Sequence, residues 1–301
     1  MPPNPPASPR PSLVRGILLI LTSSTALGAM SIFAHFAAAD GAGVVTVLFL
    51  RYLLATLVLG SLGLYQGIPW PQGRPLGWLI LLGGLGMASQ SLCFFTALTL
   101  APAGLVALLL YLFPSLVTAA SLIAQWERPT PTKLVALALA TGGLGLTVGF
   151  TPGGNPWGIV LGLMAAVIYA ANVLGIDKVL RSTHPLGACT VMMASAAFAL
   201  GILMAFQGPQ WPSTPVGWGA VGIIGLGCTT LGFLAFFWGV QQVGAITAAL
   251  VATWEPVVTL ILGAIVLGQP CNLSQLGGGA LILGAVALLS RQNPDDRPQA
   301  S

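Results

Sequence analysis

The sequence predicts an all-α polytopic membrane protein with ten transmembrane helices arranged as two inverted five-helix repeats. Three observations support this fold class: the apolar composition, the succession of apolar spans and an internal repeat. Charged residues make up 5% of the 301 residues, hydrophobic residues make up 56%, and the mean hydropathy is +0.92. A soluble domain carries roughly 25% charged residues, so this composition excludes a soluble core.

Apolar spans of about bilayer length follow one another along most of the chain. Turn-forming glycine, proline and asparagine residues separate several of them. We predict a first repeat over 14–151 and a second over 157–290, with a disordered cytoplasmic tail at 1–13 and a cytoplasmic tail at 291–301. The spans lie at about 14–36, 44–65, 77–99, 103–125, 133–151, 157–179, 187–206, 217–240, 245–267 and 274–290.

The basic residues predict the orientation of the chain. If the N-terminus is cytoplasmic, nine of the ten basic residues fall on the cytoplasmic side, and the tenth, Arg51, lies inside the second helix. Cytoplasmic loops carry the excess of lysine and arginine in membrane proteins. We therefore expect a multi-pass protein of the cell inner membrane with both termini in the cytoplasm.

An internal repeat appears at a spacing of 142 residues, which is the separation of Pro114 and Pro256 (256 − 114 = 142). The pair Phe94-Phe95 matches Phe236-Phe237 at the same spacing. Each repeat holds five helices, an odd number, so the second repeat enters the membrane from the opposite side. Transporters of this architecture bind substrate near the midplane, at the interface of the repeats.

Glu255 lies ten residues into the span 245–267, about 15 Å deep at the helical rise. An acid at that depth is expected to face a protein interior or a water-filled cavity. The alternative is a protonated glutamic acid that is hydrogen-bonded between helices. Pro256 removes a backbone donor and should kink the helix beside the acid. Pro114 occupies the equivalent place, so both prolines are candidate gating residues.

Two stretches, CFFTALTLAPAGLVALLLYLFPSLVTAAS and AFFWGVQQVGAITAALVATWEPVVTLILGAIVLGQ, are typical of a known family. With LFLRYLLATLVL in the second helix, they resemble the drug/metabolite transporter superfamily, EamA-type. The resemblance covers about residues 14–290 and implies a central cavity lined by helices one, three, four, six, eight and nine. The family's first helix often carries a Trp-Gly pair, whereas this chain has Leu27-Gly28.

Polar and aromatic residues on the implied cavity helices are candidate substrate contacts. Residues four apart share a helix face, as Glu255 and Thr259 do, and also Tyr111 and Ser115. The full set of substrate-binding candidates is Glu255, Trp254, Thr259, Tyr111, Ser115, Gln90, Phe94, Tyr169, Asn172, Thr230, Phe233 and Phe237.

Arg51 is a candidate ion-pair residue about 10 Å deep, seven residues into helix two. It could pair with a carboxylate or a substrate, or extend to the outer interface as an anchor. Its depth differs from that of Glu255, so a substrate amine is the favoured partner of the acid.

These features favour a secondary transporter that exports amino acids or related small metabolites by alternating access. Uptake or facilitated diffusion is the alternative, and an oligomeric channel or a membrane enzyme fits less well, so we expect no enzyme activity. The expected partners are the lipid bilayer, a small-molecule substrate and protons as a candidate coupling ion, in a monomer or homodimer. We expect no nucleic-acid partner and no cofactor, and the four cysteines lack metal-site spacing.

Overall fold

The computed structural model describes residues 13–101, 103–124, 130–148, 155–268 and 272–290, and their regular secondary structure is helical. The tails predicted at 1–13 and 291–301 lie outside these residues, except that Leu13 begins the first helix. The helices are α1 (Leu13–Ala39), α2 (Val44–Tyr65), α3 (Gly73–Leu100), α4a (Ala103–Leu110), α4b (Phe113–Ile123), α5 (Pro131–Val148), α6 (Pro156–Leu180), α7 (Pro185–Gln207), α8 (Pro215–Val243), α9a (Ala245–Ala252), α9b (Glu255–Leu267) and α10 (Leu273–Ser290).

Seven of the described helices are long and apolar enough to cross a membrane, counting α9a and α9b as one helix. They are α1, α2, α3, α6, α7, α8 and α9, whereas α4, α5 and α10 are shorter apolar helices. The prediction of an all-helical, polytopic membrane protein is therefore confirmed. The count of ten crossings stays a prediction.

The helix boundaries repeat at the spacing seen in the sequence. The helices α3, α4a, α4b and α5 begin 142 residues before α8, α9a, α9b and α10 respectively. Two π-helical stretches, Leu81–Met87 inside α3 and Ile223–Leu231 inside α8, begin at the same separation. The interruptions of the fourth and ninth helices also correspond, because Tyr111 and Thr253 occupy equivalent positions. The two halves of the chain therefore break their helices at matching places.

The π-helical stretches lie where α3 and α8 approach neighbouring helices closely. A Cβ atom on Gly83 would lie 2.3 Å from the carbonyl oxygen of Met192 in α7. The equivalent glycine, Gly225, would place a Cβ 3.4 Å from the Cα of Arg51 in α2. Such π stretches are single-turn expansions of a helix and occur often at functional sites. Here the second one packs against the backbone of the helix that carries Arg51.

The helices pair in a pattern that is unchanged when the two halves are exchanged. The helix α1 packs against α8 and α6 against α3, while α2 packs against α7 and α5 against α10. A Cβ on Gly16 would lie 2.3 Å from Val243 Cγ1, and one on Gly158 would lie 2.9 Å from Ala101 Cβ. Small residues let membrane helices approach closely, because lipid gives no hydrophobic drive for their association.

The bundle has two ends, which we name by Asp40 and Gly16. At the Asp40 end, Thr214 N donates to Asp40 Oδ2 at 2.8 Å, and Asn155 N donates to Leu100 O at 3.0 Å. The hydrogen bond from the Thr214 backbone holds the pKa of Asp40 below its ordinary value. At the Gly16 end, the start of α1 lies against the end of α8. These contacts join the two halves at both ends.

Candidate functional site

The ninth helix breaks in the middle of its span, just before Glu255. Thr253 and Trp254 form a turn, in which Thr253 N donates to Leu250 O at 3.3 Å and Trp254 N to Val251 O at 3.1 Å. Pro256 occupies the second position of α9b, where a proline needs no donor. The expected kink at Pro256 is thus a full interruption. It places the charged residue at the first position of a new helix.

Glu255 lies inside the bundle as a half-buried residue. The phenol of the buried Tyr111 faces its carboxyl group, and Tyr169 and Arg51 lie within electrostatic range. The ring centroid of Phe113 is 4.3 Å from that of Tyr169 and 6.2 Å from that of Tyr111. The acid of α9 therefore lies close to aromatic residues of the broken fourth helix and of α6.

The helix α1 closes the other side of the break in α9. Trp254 Nε1 donates to Thr25 Oγ1 at 3.2 Å, and Thr259 Oγ1 donates to Gly28 O at 3.1 Å. A Cβ on Gly28 would lie 2.7 Å from the carbonyl oxygen of Glu255, so a glycine is needed for this approach. Thr259 and Trp254, proposed from sequence as substrate contacts, thus bind α1 in this conformation. Gly28 therefore allows α1 to pack closely against α9, although this chain lacks the tryptophan that often precedes it in the family.

Arg51 is buried, with 6% of its surface exposed, and does not extend to the interface as an anchor. Its Nη2 donates to the hydroxyl of Tyr52, and its Nη1 donates to Met30 Sδ at 3.0 Å. The Tyr52 hydroxyl is 3.2 Å from Ser91 Oγ. Among the residues that the structure describes, Arg51 forms no salt bridge. The cation therefore sits in a polar cluster contributed by α1, α2 and α3.

Tyr169 lies near both the Glu255 carboxyl group and the cluster around Arg51. It lies within electrostatic range of both Glu255 and Tyr52. Phe233 lies beside the same cluster, with its ring centroid 6.5 Å from that of Tyr52. The structure thus brings Glu255, Tyr111, Tyr169, Phe233 and Arg51 around one region at the centre of the bundle.

The other candidates are placed differently. Asn172 is buried against Gly86 in the π stretch of α3, and Thr230 Oγ1 donates to Gly225 O at 2.8 Å within the π stretch of α8. Phe237 and Pro114 are buried in packed positions, and Ser115 and Gln90 are half-buried. Phe94 lies in a separate apolar cluster with Ala97, Ala101 and Val106. These residues shape the bundle around the site, whereas Phe94 lies apart from it.

Sequence reasoning missed several residues of the central region. Tyr52 accepts a hydrogen bond from Arg51, Ser91 lies beside the Tyr52 hydroxyl, and Thr25 and Met30 contribute from α1. A tyrosine directly after a mid-helix arginine was the available signal for Tyr52. Phe113 carries no polar signal, although it stands at the position equivalent to Glu255 in the first half.

The central region is closed at one end of the bundle and more open at the other. At the Gly16 end, α9a packs against α4b, α5 and α6, and all eight of its residues are buried. At the Asp40 end, the equivalent helix α4a makes no comparable contact with α9b, α10 or α1 within the described residues. The side chains of residues 105–110 are half-buried, except that of Val106. The two halves therefore differ in packing where their sequences correspond.

A multi-pass helical bundle with matching interrupted helices and ionisable residues at its centre is typical of membrane transport proteins. The sequence matches the profile of the EamA-like transporter family twice, over residues 14–149 and 156–291. The chain belongs to the EamA-like transporter family.

Similar proteins agree with this assignment. An uncharacterized transporter of Archaeoglobus fulgidus is 29% identical over 92% of this chain and 97% of its own length. A probable terminal-alkyne amino-acid exporter of Streptantibioticus cattleyicolor is 25% identical over 95% of each chain. The uncharacterized inner membrane transporter YedA of Escherichia coli is 27% identical over 80% of this chain and 79% of its own length.

A solved crystal structure shares the fold. It superposes with a TM-score of 0.80 at 21% sequence identity and covers 94% of this chain and 99% of its own. At that identity the likeness concerns the fold alone.

Proposed function

We propose that this protein is a secondary transporter that exports amino acids or related small metabolites across the inner membrane by alternating access. One observation carries the proposal: Glu255 stands at a helix break in the centre of the bundle and keeps accessible surface there. The probable terminal-alkyne amino-acid exporter of Streptantibioticus cattleyicolor among its relatives supports the substrate class. A carboxylate that has lost its hydration can be neutralised by either a proton or a substrate amine, and competition between the two is sufficient for antiport.

The proposed architecture has ten transmembrane helices in two inverted repeats. The contacts support the inversion, since α1 begins at the Gly16 end while α6 begins at the Asp40 end. The shorter α4, α5 and α10 complete five crossings in each half. The loose packing of α4a and the tight packing of α9a then correspond to a site open to the outside and closed to the cytoplasm.

The prolines are the proposed hinges of this cycle. Pro114 and Pro256 each stand at the second position of the helix that follows an interruption. Neither can donate a backbone hydrogen bond across the break, so the segments on either side can change their angle at small cost. Exchanging the packing of α4a with that of α9a would close the Asp40 end and open the Gly16 end.

The transport proposal is tested with purified protein in proteoliposomes. Vesicles loaded with radiolabelled L-leucine or L-phenylalanine are expected to release it faster when a proton gradient is imposed than without one. Asp177→Asn is the matched control, because it removes an acid that is paired with Arg181 away from the centre. Transport that ignores the gradient would assign the chain to facilitated diffusion, and absence of any transport would refute the proposal.

The proposed topology predicts which side of the membrane each loop faces. After replacement of the native cysteines, Asn155→Cys should react with an impermeant thiol reagent in intact cells, and Arg181→Cys should react only after the cells are opened. The loop charges give the reason, since nine of ten basic residues then lie inside. Reaction of both positions from the same side would contradict the inverted repeats.

A further inference from the structure

The hydrogen bonds of Arg51 leave part of its guanidinium without a partner. A guanidinium has five N–H donors. Nη2 donates to the Tyr52 hydroxyl and Nη1 donates to Met30 Sδ, while Nε is buried without any hydrogen-bond partner. A thioether sulfur is a weak acceptor, so within the described residues the Tyr52 hydroxyl is the one strong acceptor of the cation. Buried charges in proteins are normally paired, and no described carboxylate forms a salt bridge with this one.

Glu255, the acid that could pair with Arg51, is not in salt-bridge contact with it in the part of the chain that the structure describes. Glu255 lies within electrostatic range of Arg51, but the two form no salt bridge among the described residues. Each charge is held by its own phenol, since Tyr111 faces Glu255 and Tyr52 binds Arg51. Tyr169 lies within electrostatic range of both Glu255 and Tyr52. A cation and a carboxyl group thus face the same region without neutralising each other by contact.

We propose that Arg51 is the carboxylate-binding subsite for the transported molecule, and that Glu255 with Tyr111 binds the ammonium group of the same molecule. The inference rests on the proposed transport function and adds which side chains bind the two charged groups of a zwitterionic substrate. The free Nε–H and a neighbouring Nη–H present the fork geometry that matches a carboxylate. Tyr169 and Phe233 are half-buried and lie beside Glu255 and Tyr52 respectively, so an apolar substrate side chain would contact their rings.

A purely structural role for Arg51 is the competing explanation. In that case the residue would tie α1, α2 and α3 together through Met30, Tyr52 and Ser91. An arginine in that role would be expected to satisfy its donors within the cluster, because an unpaired buried donor is unfavourable. The unpartnered Nε therefore favours a ligand-binding role for Arg51 over a purely structural one.

Binding measurements with matched fragments test the assignment on the detergent-solubilised full chain. Isothermal titration calorimetry compares L-leucine with isoamylamine, which lacks the carboxylate, and 4-methylpentanoate, which lacks the amine. L-phenylalanine, phenethylamine and 3-phenylpropanoate form a second set. We expect each amino acid to bind wild-type protein at least about tenfold more tightly than either of its fragments, on the scale of one charge-assisted hydrogen bond.

The variants give a crossed pattern that a structural role would not produce. Arg51→Gln should weaken the binding of the amino acids and the carboxylic acids by about 30-fold or more, which is the scale of a lost buried charge pair. It should leave the affinity for the amines unchanged. Glu255→Gln should weaken the binding of the amino acids and the amines and leave the affinity for the carboxylic acids unchanged. Arg51→Lys should show an intermediate loss, since it keeps the charge without the fork.

The outcomes separate this inference from the transport proposal. Amines that bind as tightly as the amino acids, or an Arg51→Gln variant with unchanged amino-acid affinity, would overturn the subsite while transport stands. Wild-type protein that binds none of the six compounds would overturn it as well, and the transport proposal would then depend on the vesicle assay alone.

Discussion

Replacing Glu255 with glutamine is expected to abolish the response of transport to a proton gradient. Glutamine keeps the size of the side chain and an oxygen acceptor facing the Tyr111 phenol, but it cannot exchange a proton, and it removes the partner of a substrate amine. Gradient-driven export should fall by about 30-fold or more, since a lost buried charge interaction is worth about 2 kcal/mol or more. The measurement is efflux from proteoliposomes at several pH values, with and without an imposed gradient.

Two controls make the result interpretable. Glu255→Asp keeps a titratable carboxyl group and should retain gradient dependence at a lower rate. Asp177→Asn should behave as wild type, because its salt bridge to Arg181 lies on the exposed end of α6. A glutamine variant that follows the gradient as wild type does would remove Glu255 from the coupling mechanism and leave it as a hydrogen-bonding group between helices.

Replacing Gly83 with alanine is expected to destabilise the protein more than replacing Gly77 or Gly225 with alanine. The new Cβ would lie 2.3 Å from the carbonyl oxygen of Met192 and 2.7 Å from its Cα, and backbone atoms in a packed helix cannot move aside as a side chain can. Overpacking of this kind costs about 1–3 kcal/mol or more. The midpoint of thermal unfolding in detergent should therefore fall clearly below that of wild type.

Two glycines provide matched comparisons. Gly77 lies on the same helix with open space around its Cβ position, so Gly77→Ala should leave the unfolding midpoint at or above that of wild type. Gly225→Ala should have a smaller effect than Gly83→Ala, because its closest contact is the flexible side chain of Leu54 at 2.7 Å. Equal unfolding midpoints for Gly83→Ala and Gly77→Ala would show that α3 and α7 approach less closely than described.

Much of the fold could be predicted because membrane helices are defined by local composition. The span 44–65 coincides with α2, and Pro114 and Pro256 mark both interruptions. The glycine-rich stretches of the fifth and tenth helices also meet, since a Cβ on Gly143 would lie 2.6 Å from Gly278 O. The π stretches were not predicted, because their expansion depends on close contact with α2 and α7 as well as on local sequence.

The site was less predictable, since a helix face depends on tertiary packing. The acid at Glu255 stood out because a charge in an apolar span is costly. Arg51 was ambiguous, as its depth along α2 allows either an interfacial or a buried position. It is buried in the structure, where α8 approaches its backbone and Met30 of α1 contacts its guanidinium. Phe94 shares its helix with Ser91, but it packs against Ala97, Ala101 and Val106 in a separate cluster, which spacing alone does not reveal.

The central claim is that one internal site opens alternately to the two ends of the bundle. Double electron–electron resonance tests it with one spin-label pair at each end, Leu105 with Ile265 at the Asp40 end and Ile123 with Gln241 at the Gly16 end. When the pH is changed in the presence of saturating L-leucine or L-phenylalanine, we predict that the Leu105–Ile265 distance shortens while the Ile123–Gln241 distance lengthens. We also predict that Pro114→Ala or Pro256→Ala reduces both changes. Distances that change in the same direction, or that stay fixed in protein that transports, would contradict alternating access.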